Sequence, residues 1–541
     1  MSEDQIVTTT QASGRPDGLA LALARLDDFF DVNSPWHQRL WDCGLVLGLR
    51  ELSDAVEWVE HKTLSPGTLS WLARDLERLQ GPDQGAGDKV LRQQLQRVLR
   101  STLKHGNAHH RMLNEIITRL DDGYLNRWEL AARDENRPPS PERFARAVGA
   151  HLLDAGFSQR FLHHWVKNLQ VLSLADLSIE AQKLLGSNLP RTFDVLIPFA
   201  AVSNDQHNRD SDSAWRPAKY VNEWIRENQT HIEGRLGGGF EYTVTARDSH
   251  MAAEEGREIV DRLKARATYS RKQTHLRDFG VLIVRGRSEP FPLQRPGRGT
   301  FVLSLVREQK LYAVQERTRL DNALELAAPM NHGSIATAVS GGWSAVETLL
   351  LRGDDESEEG RGVLAADRMA ALTACSWPRA ELTKLSHAHK PTVPDRLAHQ
   401  MSVLLGESTN RDRAKLAAEW INSGNSLALA RLSDFASEER MRKLLASPSA
   451  TLGEVKRHMV SAMRRLYRHR NLVMHGGATH LDTLSMTLRT VAPLVGAGLD
   501  RIAHAAIVQQ STPVELASRA ELHLNLLRST TEAPLLVDLL E

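Results

Sequence analysis

Apolar residues recur every three or four positions over most of this chain, which predicts a protein built mainly of α-helices. The pattern runs from about Leu19 to Leu185, with Pro- and Gly-rich breaks at 81–85 and 137–141 that indicate loops. It returns at Asn331 and continues, with short interruptions, through the C-terminal third of the chain. Two long helical regions are therefore expected, separated by a segment of different texture.

The segment between these regions, from 191 to 330, predicts a small α+β module. Its strand-like runs alternate or are continuously apolar, and one charged amphipathic stretch is typical of a helix. The expected strands are 193–198, 240–245, 279–284, 300–306 and 311–315, and the expected helix is 251–267.

The expected fold class is mainly α, with a helical N-terminal region, a small α+β middle module and a C-terminal helical bundle. At roughly 100–200 residues per domain, the 541 residues correspond to about three domains. We place them at 1–190, with 1–17 disordered, at 191–330 as a candidate sensor or regulatory module, and at 331–541.

Composition narrows the class of protein without identifying a partner. The net charge is +1, so a nucleic-acid site has to come from local clustering of basic residues. The two cysteines, Cys43 and Cys375, are far apart, which excludes a disulfide framework and a paired-cysteine zinc site. The first residues lack the order of a signal peptide, and no stretch approaches a membrane span. A cytoplasmic protein without metal or cofactor is expected.

The helix predicted over 452–474 carries the most informative residues. On a helical wheel, its apolar positions form one stripe, and Arg470 falls at the centre of that stripe. An arginine there is costly unless it is paired or has a task. Asn471 and His475 are four residues apart on a neighbouring face, and Gly476-Gly477 is expected to end the helix.

The surroundings of this motif are basic. No Asp or Glu occurs from Val455 to Leu481, although the whole chain is nearly neutral. Such a cationic strip can attract a phosphate backbone. The candidate RNA-binding residues are Lys456, Arg457, Arg464, Arg465, Arg468 and His469.

Arg470-Asn471-x-x-x-His475 resembles the signature of the HEPN family (higher eukaryotes and prokaryotes nucleotide-binding domains). That signature is an Arg, then four to six residues beginning with a polar one, often Asn, and then a His. The upstream pair Trp343 and Glu347 resembles the aromatic-x-x-x-Glu pattern of an early helix in that family. The resemblance covers about residues 331–510 and implies a helical bundle. Glu347 is a candidate for active-site support.

The resemblance implies metal-independent RNA cleavage. His475 would act as general base or acid, Arg470 would bind the phosphate, and Asn471 would hold the geometry. The implied products are a 2′,3′-cyclic phosphate and a 5′-hydroxyl. The resemblance also implies a homodimer that pairs two motifs in one cleft, and a regulated, toxin-like effector of anti-phage defence or stress. A partner protein or a nucleic acid would be its trigger.

Other interpretations remain open from the sequence. Arg470 can be a structural partner of Glu347, with His475 a helix-end cap, and many HEPN proteins are non-catalytic RNA-binding or antitoxin-like scaffolds. The cluster His105, His109 and His110 offers metal-ligand spacing but lacks a completing carboxylate or cysteine. Glu381-Leu382-Thr383-Lys384 is similar to part of a metal-dependent nuclease motif, but its strand context and partner Asp are missing.

Overall fold

The computed structural model describes residues 16–39, 44–202, 214–269, 276–355, 357, 360–404, 410–478, 482–527 and 532–541. Within them the chain is mainly helical with a small antiparallel sheet in the middle, which confirms the predicted fold class. Of the segment 1–17, where disorder is expected, residues 1–15 lie outside the described residues, and Asp17 caps the first helix. Cys43 also lies outside the described residues.

The N-terminal region is a bundle of helices around one apolar core. Trp128, Phe144 and Leu49 are fully buried at its centre. Several helices begin at an Asp, Asn or Ser whose side chain accepts a hydrogen bond from the first turn, as at Ser140. The helices are Gly18–Phe30, Leu45–Glu60, Pro66–Gln80, Lys89–Leu99, Ala108–Asp121, Tyr124–Ala132, Pro141–Asp154, Gln159–Lys167 and Leu174–Ser187.

The middle module is an antiparallel sheet with a helix on each face. Its strands are β1 (Arg191–Val202), β2 (Trp215–Pro217), β3 (Gly238–Ala246), β4 (Leu276–Asp278), β5 (Val281–Val284) and β6 (Phe291–Pro292), in the order β2-β3-β1-β5-β6, with β4 also paired to β1. Because alternate residues of a strand face opposite sides, Val195 packs towards helix Ser249–Thr268 and Leu196 towards helix Ala218–Glu227.

The strands predicted at 300–306 and 311–315 are wrong. The first run contains the short helix Ser304–Arg307, and the second forms turns. The segment that contains both runs packs on the C-terminal bundle instead of the sheet. Thr300 Oγ1 donates to the Ala492 carbonyl at 3.0 Å, and the Ser304 amide donates to Asp500 Oδ1 at 2.6 Å. The alternation of apolar and polar residues along a segment does not reveal which other part of the chain the segment packs against.

The C-terminal bundle surrounds a second large core, to which Trp343, Met369 and Leu466 contribute fully buried side chains. The long helix Arg361–Ala388 runs through it and packs along the motif helix, the name used below for Pro448–Gly476. The other helices are Arg319–Ala327, Pro329–His332, Ile335–Leu350, Arg396–Val403, Asn410–Asn422, Leu432–Ala446, Asp482–His504 and Pro513–Leu526.

One segment of this bundle, Thr483–Gln509, is long and apolar enough to cross a membrane, contrary to the expectation from sequence that no stretch would qualify. Of its most apolar window, 67% is buried inside the protein. Burial of that kind is typical of the core helix of a folded domain, and Leu488, Val491 and Val495 are part of the C-terminal core.

Candidate functional site

The motif helix ends where its glycines predict. The last helical residue is Gly476, and Gly477 takes a left-handed conformation with φ of 65°. The Ala478 amide donates to the Leu472 carbonyl at 3.1 Å, which satisfies one of the carbonyls left open at the helix end. His475 therefore stands in the last turn, where its side chain is exposed.

Four polar side chains meet at this helix end. Arg470 Nη1 donates to Asn471 Oδ1 at 3.1 Å and lies 3.4 Å from His475 Nε2. Arg470 Nη2 lies 3.7 Å from Glu347 Oε2 on helix Ile335–Leu350. The structure thus brings together Arg470, Asn471, His475 and Glu347, with Arg470 at the centre.

An aromatic contact holds these two helices side by side one turn below the polar cluster. The Trp343 ring is fully buried, and its centroid lies 4.9 Å from that of Tyr467. Glu347 is one turn beyond Trp343, and Arg470 is about one turn beyond Tyr467. The ion pair is thereby placed by the apolar contact beneath it.

The arrangement places a cation and an imidazole together, as chemistry on a phosphate ester requires. Arg470 is 25% exposed, so part of its guanidinium faces solvent and can reach an anion. His475 Nε2, 3.4 Å from Arg470 Nη1, can take a proton from a hydroxyl group that approaches it in place of the guanidinium.

The predicted basic strip is divided between the interior and the surface. Arg465, Arg468 and His469 are buried against Glu51 of helix Leu45–Glu60, in the N-terminal region. Glu51 Oε1 lies 2.9 Å from Arg465 Nε and 3.8 Å from His469 Nε2, and Glu51 Oε2 lies 3.6 Å from Arg468 Nη2. In this structure the N-terminal region covers these three side chains, so they are not at the surface that direct RNA contact requires.

The remaining basic residues differ in their exposure. Arg464 is largely buried in an ion pair with Asp367 at 2.7 Å, and its guanidinium lies over the Trp71 ring, 5.1 Å from the centroid. Lys456 is half-buried, and Arg457 is exposed. The six basic residues therefore do not form one continuous surface.

Burial and charge act in opposite directions on Glu51. Burial alone would raise the pKa of the Glu51 carboxyl, but the guanidiniums of Arg465 and Arg468 hold it below its usual value. Burial, assisted by the two guanidiniums, lowers the pKa of His469 to about 3, so this imidazole is neutral near pH 7. His469 consequently adds no positive charge to the motif helix.

The N-terminal region also reaches the end of the motif helix. A Cβ atom at Gly476 would lie 2.9 Å from Cζ3 of Trp58, so only glycine permits this close approach. Leu472 belongs to the N-terminal core. Sequence reasoning missed Glu51 and Trp58, because their own segments carry no motif and they are more than 400 positions from the residues they contact.

Two residues from the other sequence motifs, His110 and Glu381, are buried and make contacts that explain them as structural residues. His110 is buried, with Nε2 2.8 Å from Ser53 Oγ, and its Nδ1 accepts from the Gly106 amide at 3.2 Å. Glu381 is fully buried between Arg440 and His37, in an ion-pair network described below. No group of three or more metal-ligating side chains is found among the described residues.

Comparison of the chain with protein-family models, curated proteins and solved structures finds no match.

Proposed function

We propose that this chain is a metal-independent endoribonuclease of HEPN type. Its active-site residues are Arg470, Asn471 and His475. The observation that carries the proposal is the meeting of these three side chains with Glu347 at an accessible helix end. Arg470 binds the scissile phosphate, Asn471 orients Arg470, and Glu347 supports the guanidinium from the other side.

In the proposed reaction the 2′-oxygen of a ribose forms a bond to phosphorus while the bond from phosphorus to the 5′-oxygen breaks. His475 takes the proton of the 2′-hydroxyl, and a second acid protonates the departing 5′-oxygen. Arg470 stabilises the additional negative charge on the phosphoryl oxygens. Our candidate for that acid is His475 of a second copy, in a homodimer formed through the C-terminal bundle.

We further propose that the enzyme is cytoplasmic and regulated, as a toxin-like effector in anti-phage defence or a stress response. An unrestrained ribonuclease would destroy the RNA of its own cell. The N-terminal region and the middle module are the candidates for sensing a trigger, which would be a partner protein or a nucleic acid.

A non-catalytic RNA-binding or antitoxin-like scaffold is the second candidate. The ion pair between Arg470 and Glu347 favours it, since a paired arginine on an otherwise apolar face also has a purely structural explanation.

The two candidates are separated by incubating the purified chain and its Arg470→Ala variant with single-stranded RNA. We expect the variant to cleave about 10²–10³ times more slowly, the usual cost of removing a group that stabilises transition-state charge. Equal RNA cleavage by both proteins would reject the nuclease proposal. Equal RNA binding without cleavage by either would favour the scaffold.

Replacing Glu347 by glutamine is expected to lower kcat by several-fold and to change stability by less than about 1 kcal/mol, because the ion pair is partly exposed. The Glu347→Asp variant, which keeps the charge, should recover part of the rate. Steady-state kinetics and urea unfolding measure the two effects. A loss of kcat as large as that of Arg470→Ala would instead make Glu347 a direct participant in the reaction.

A further inference from the structure

Two arginines of the motif helix share one carboxylate on the side that faces the N-terminal region. Arg465 and Arg468 lie 2.9 and 3.6 Å from the oxygens of Glu51, and none of the three side chains is more than 9% exposed. Guanidinium groups donate to phosphate oxygens in the same paired geometry as to carboxylate oxygens. A pair of arginines that holds a carboxylate in this way has the chemistry to hold a phosphate.

The carboxylate comes from a distant part of the chain. Glu51 and Arg465 are 414 positions apart, and the helix of Glu51 belongs to the N-terminal core. Neighbouring contacts close the same face: Ser461 Oγ donates to Asp75 Oδ2 at 2.9 Å, and the Trp71 ring lies under Arg468, 5.4 Å from its guanidinium carbon.

The covered arginines belong to the same part of the motif helix as the motif but lie on another face, since they contact Glu51 whereas Arg470 contacts Glu347. Arg465 and Arg468 precede Arg470 by five and two residues, within the stretch of the motif helix that lacks acidic residues. At 3.6 residues per turn, Arg465 and Arg468 point about 140–160° away from Arg470 around the helix. An RNA that contacts all three therefore passes around the motif helix, with different phosphates on its two sides. In the present structure the carboxylate of Glu51 occupies the position between Arg465 and Arg468 that a phosphate would take. Its lowered pKa keeps this carboxylate anionic.

We propose that Arg465 and Arg468 form a phosphate-binding site for the RNA backbone, and that the N-terminal region restrains the C-terminal domain by filling this site with Glu51. The inference rests on the proposed function, since it takes RNA as the ligand. RNA and the N-terminal region then compete for one face of the motif helix, and a trigger that loosens the N-terminal region exposes the site.

The test measures RNA binding in a His475→Ala background, so that cleavage plays no part. The probe is a fluorescein-labelled single-stranded RNA, followed by anisotropy at several salt concentrations. We expect Glu51→Gln to raise RNA affinity on the order of tenfold, and to make the slope of log affinity against log salt steeper by about 0.7–1.4, the contribution of one or two phosphate contacts. Amide exchange in the motif helix should become faster as the interface loosens.

Matched variants separate a freed binding site from general loosening. Asp154→Asn weakens another ion pair between the same two regions, Asp154 with Arg489 at 3.2 Å, and should leave RNA affinity unchanged. Adding Arg468→Gln to Glu51→Gln should abolish the gain. Glu51→Asp, which keeps the charge with a shorter reach, should give a smaller gain and serves if Glu51→Gln does not fold.

Equal RNA affinity and salt dependence for the parent and Glu51→Gln would overturn the inference, whether or not amide exchange changes. A gain shared by Asp154→Asn would overturn it too, since loosening alone would then explain the result. Tighter RNA binding by Glu51→Gln, with no cleavage by any chain that retains His475, would support this inference while rejecting the nuclease.

Discussion

Replacing His475 by alanine is expected to slow RNA cleavage by about 10²–10⁴-fold, the range that general acid–base catalysis contributes. The variant lacks the imidazole that would take the proton of the 2′-hydroxyl, while Arg470 and Asn471 keep their hydrogen bond. Since the His475 side chain is exposed, its removal opens no cavity in the core, and the fold should be retained. Single-turnover cleavage of a labelled RNA measures the effect.

Met474→Ala is the matched control, because Met474 is in the same helical turn and is 57% exposed. We expect its cleavage rate to stay within about twofold of that of the unsubstituted chain, as is usual for surface changes of small free-energy cost. Similar losses of rate in both variants would show that the helix end, and not the imidazole, is required. Full activity of His475→Ala would remove it from the proposed mechanism.

The second large effect concerns stability, at the buried carboxylate of Glu381. Glu381 is fully buried, with Oε1 2.7 Å from Arg440 Nη2 and Oε2 3.3 Å from His37 Nδ1. Arg440 also approaches Glu142, which is paired with the buried Arg25 at 2.5 Å. This network joins the N-terminal region to the C-terminal bundle, and the guanidinium of Arg440 holds the pKa of Glu381 well below its usual value despite burial.

Glu381→Ala is therefore expected to destabilise the protein by about 3–5 kcal/mol, the usual cost of leaving a buried partner charge uncompensated. Urea unfolding measures this loss, analysed with intermediates allowed because separate cores need not unfold together. Glu439→Ala, at an exposed position of helix Leu432–Ala446, should change stability by less than about 0.5 kcal/mol. A change below about 1 kcal/mol for Glu381→Ala would show that the network adds little to folding.

Local signals predicted much of the helical architecture. Helical periodicity and the paired glycines placed the C-terminal end of the motif helix within two residues of Gly476. The contact of Arg470 with Glu347, one of the alternatives left open from the sequence, is present at 3.7 Å. The helix predicted at 251–267 is observed at Ser249–Thr268, where Asp248 caps its first turn. The two helix predictions depend on residues close in sequence or on periodicity over many turns.

The errors concern partners that are distant in sequence. The acid-free stretch around the motif indicated a cationic surface, because no residue from Val455 to Leu481 carries a negative charge. Its counter-charges are supplied by Glu51 and Asp367, from other helices, which form ion pairs with Arg465, Arg468 and Arg464. A count of charges along one helix cannot show which side of it another part of the chain will cover.

The most direct test of the account is the chemistry of the RNA ends after incubation with the purified chain in the presence of EDTA. End-specific labelling and mass spectrometry identify the terminal groups of the fragments. The proposed reaction gives fragments that carry 2′,3′-cyclic phosphate and 5′-hydroxyl ends, formed without divalent metal and lost in His475→Ala. Fragments with 3′-hydroxyl and 5′-phosphate ends, or cleavage that stops when EDTA is added, would contradict it.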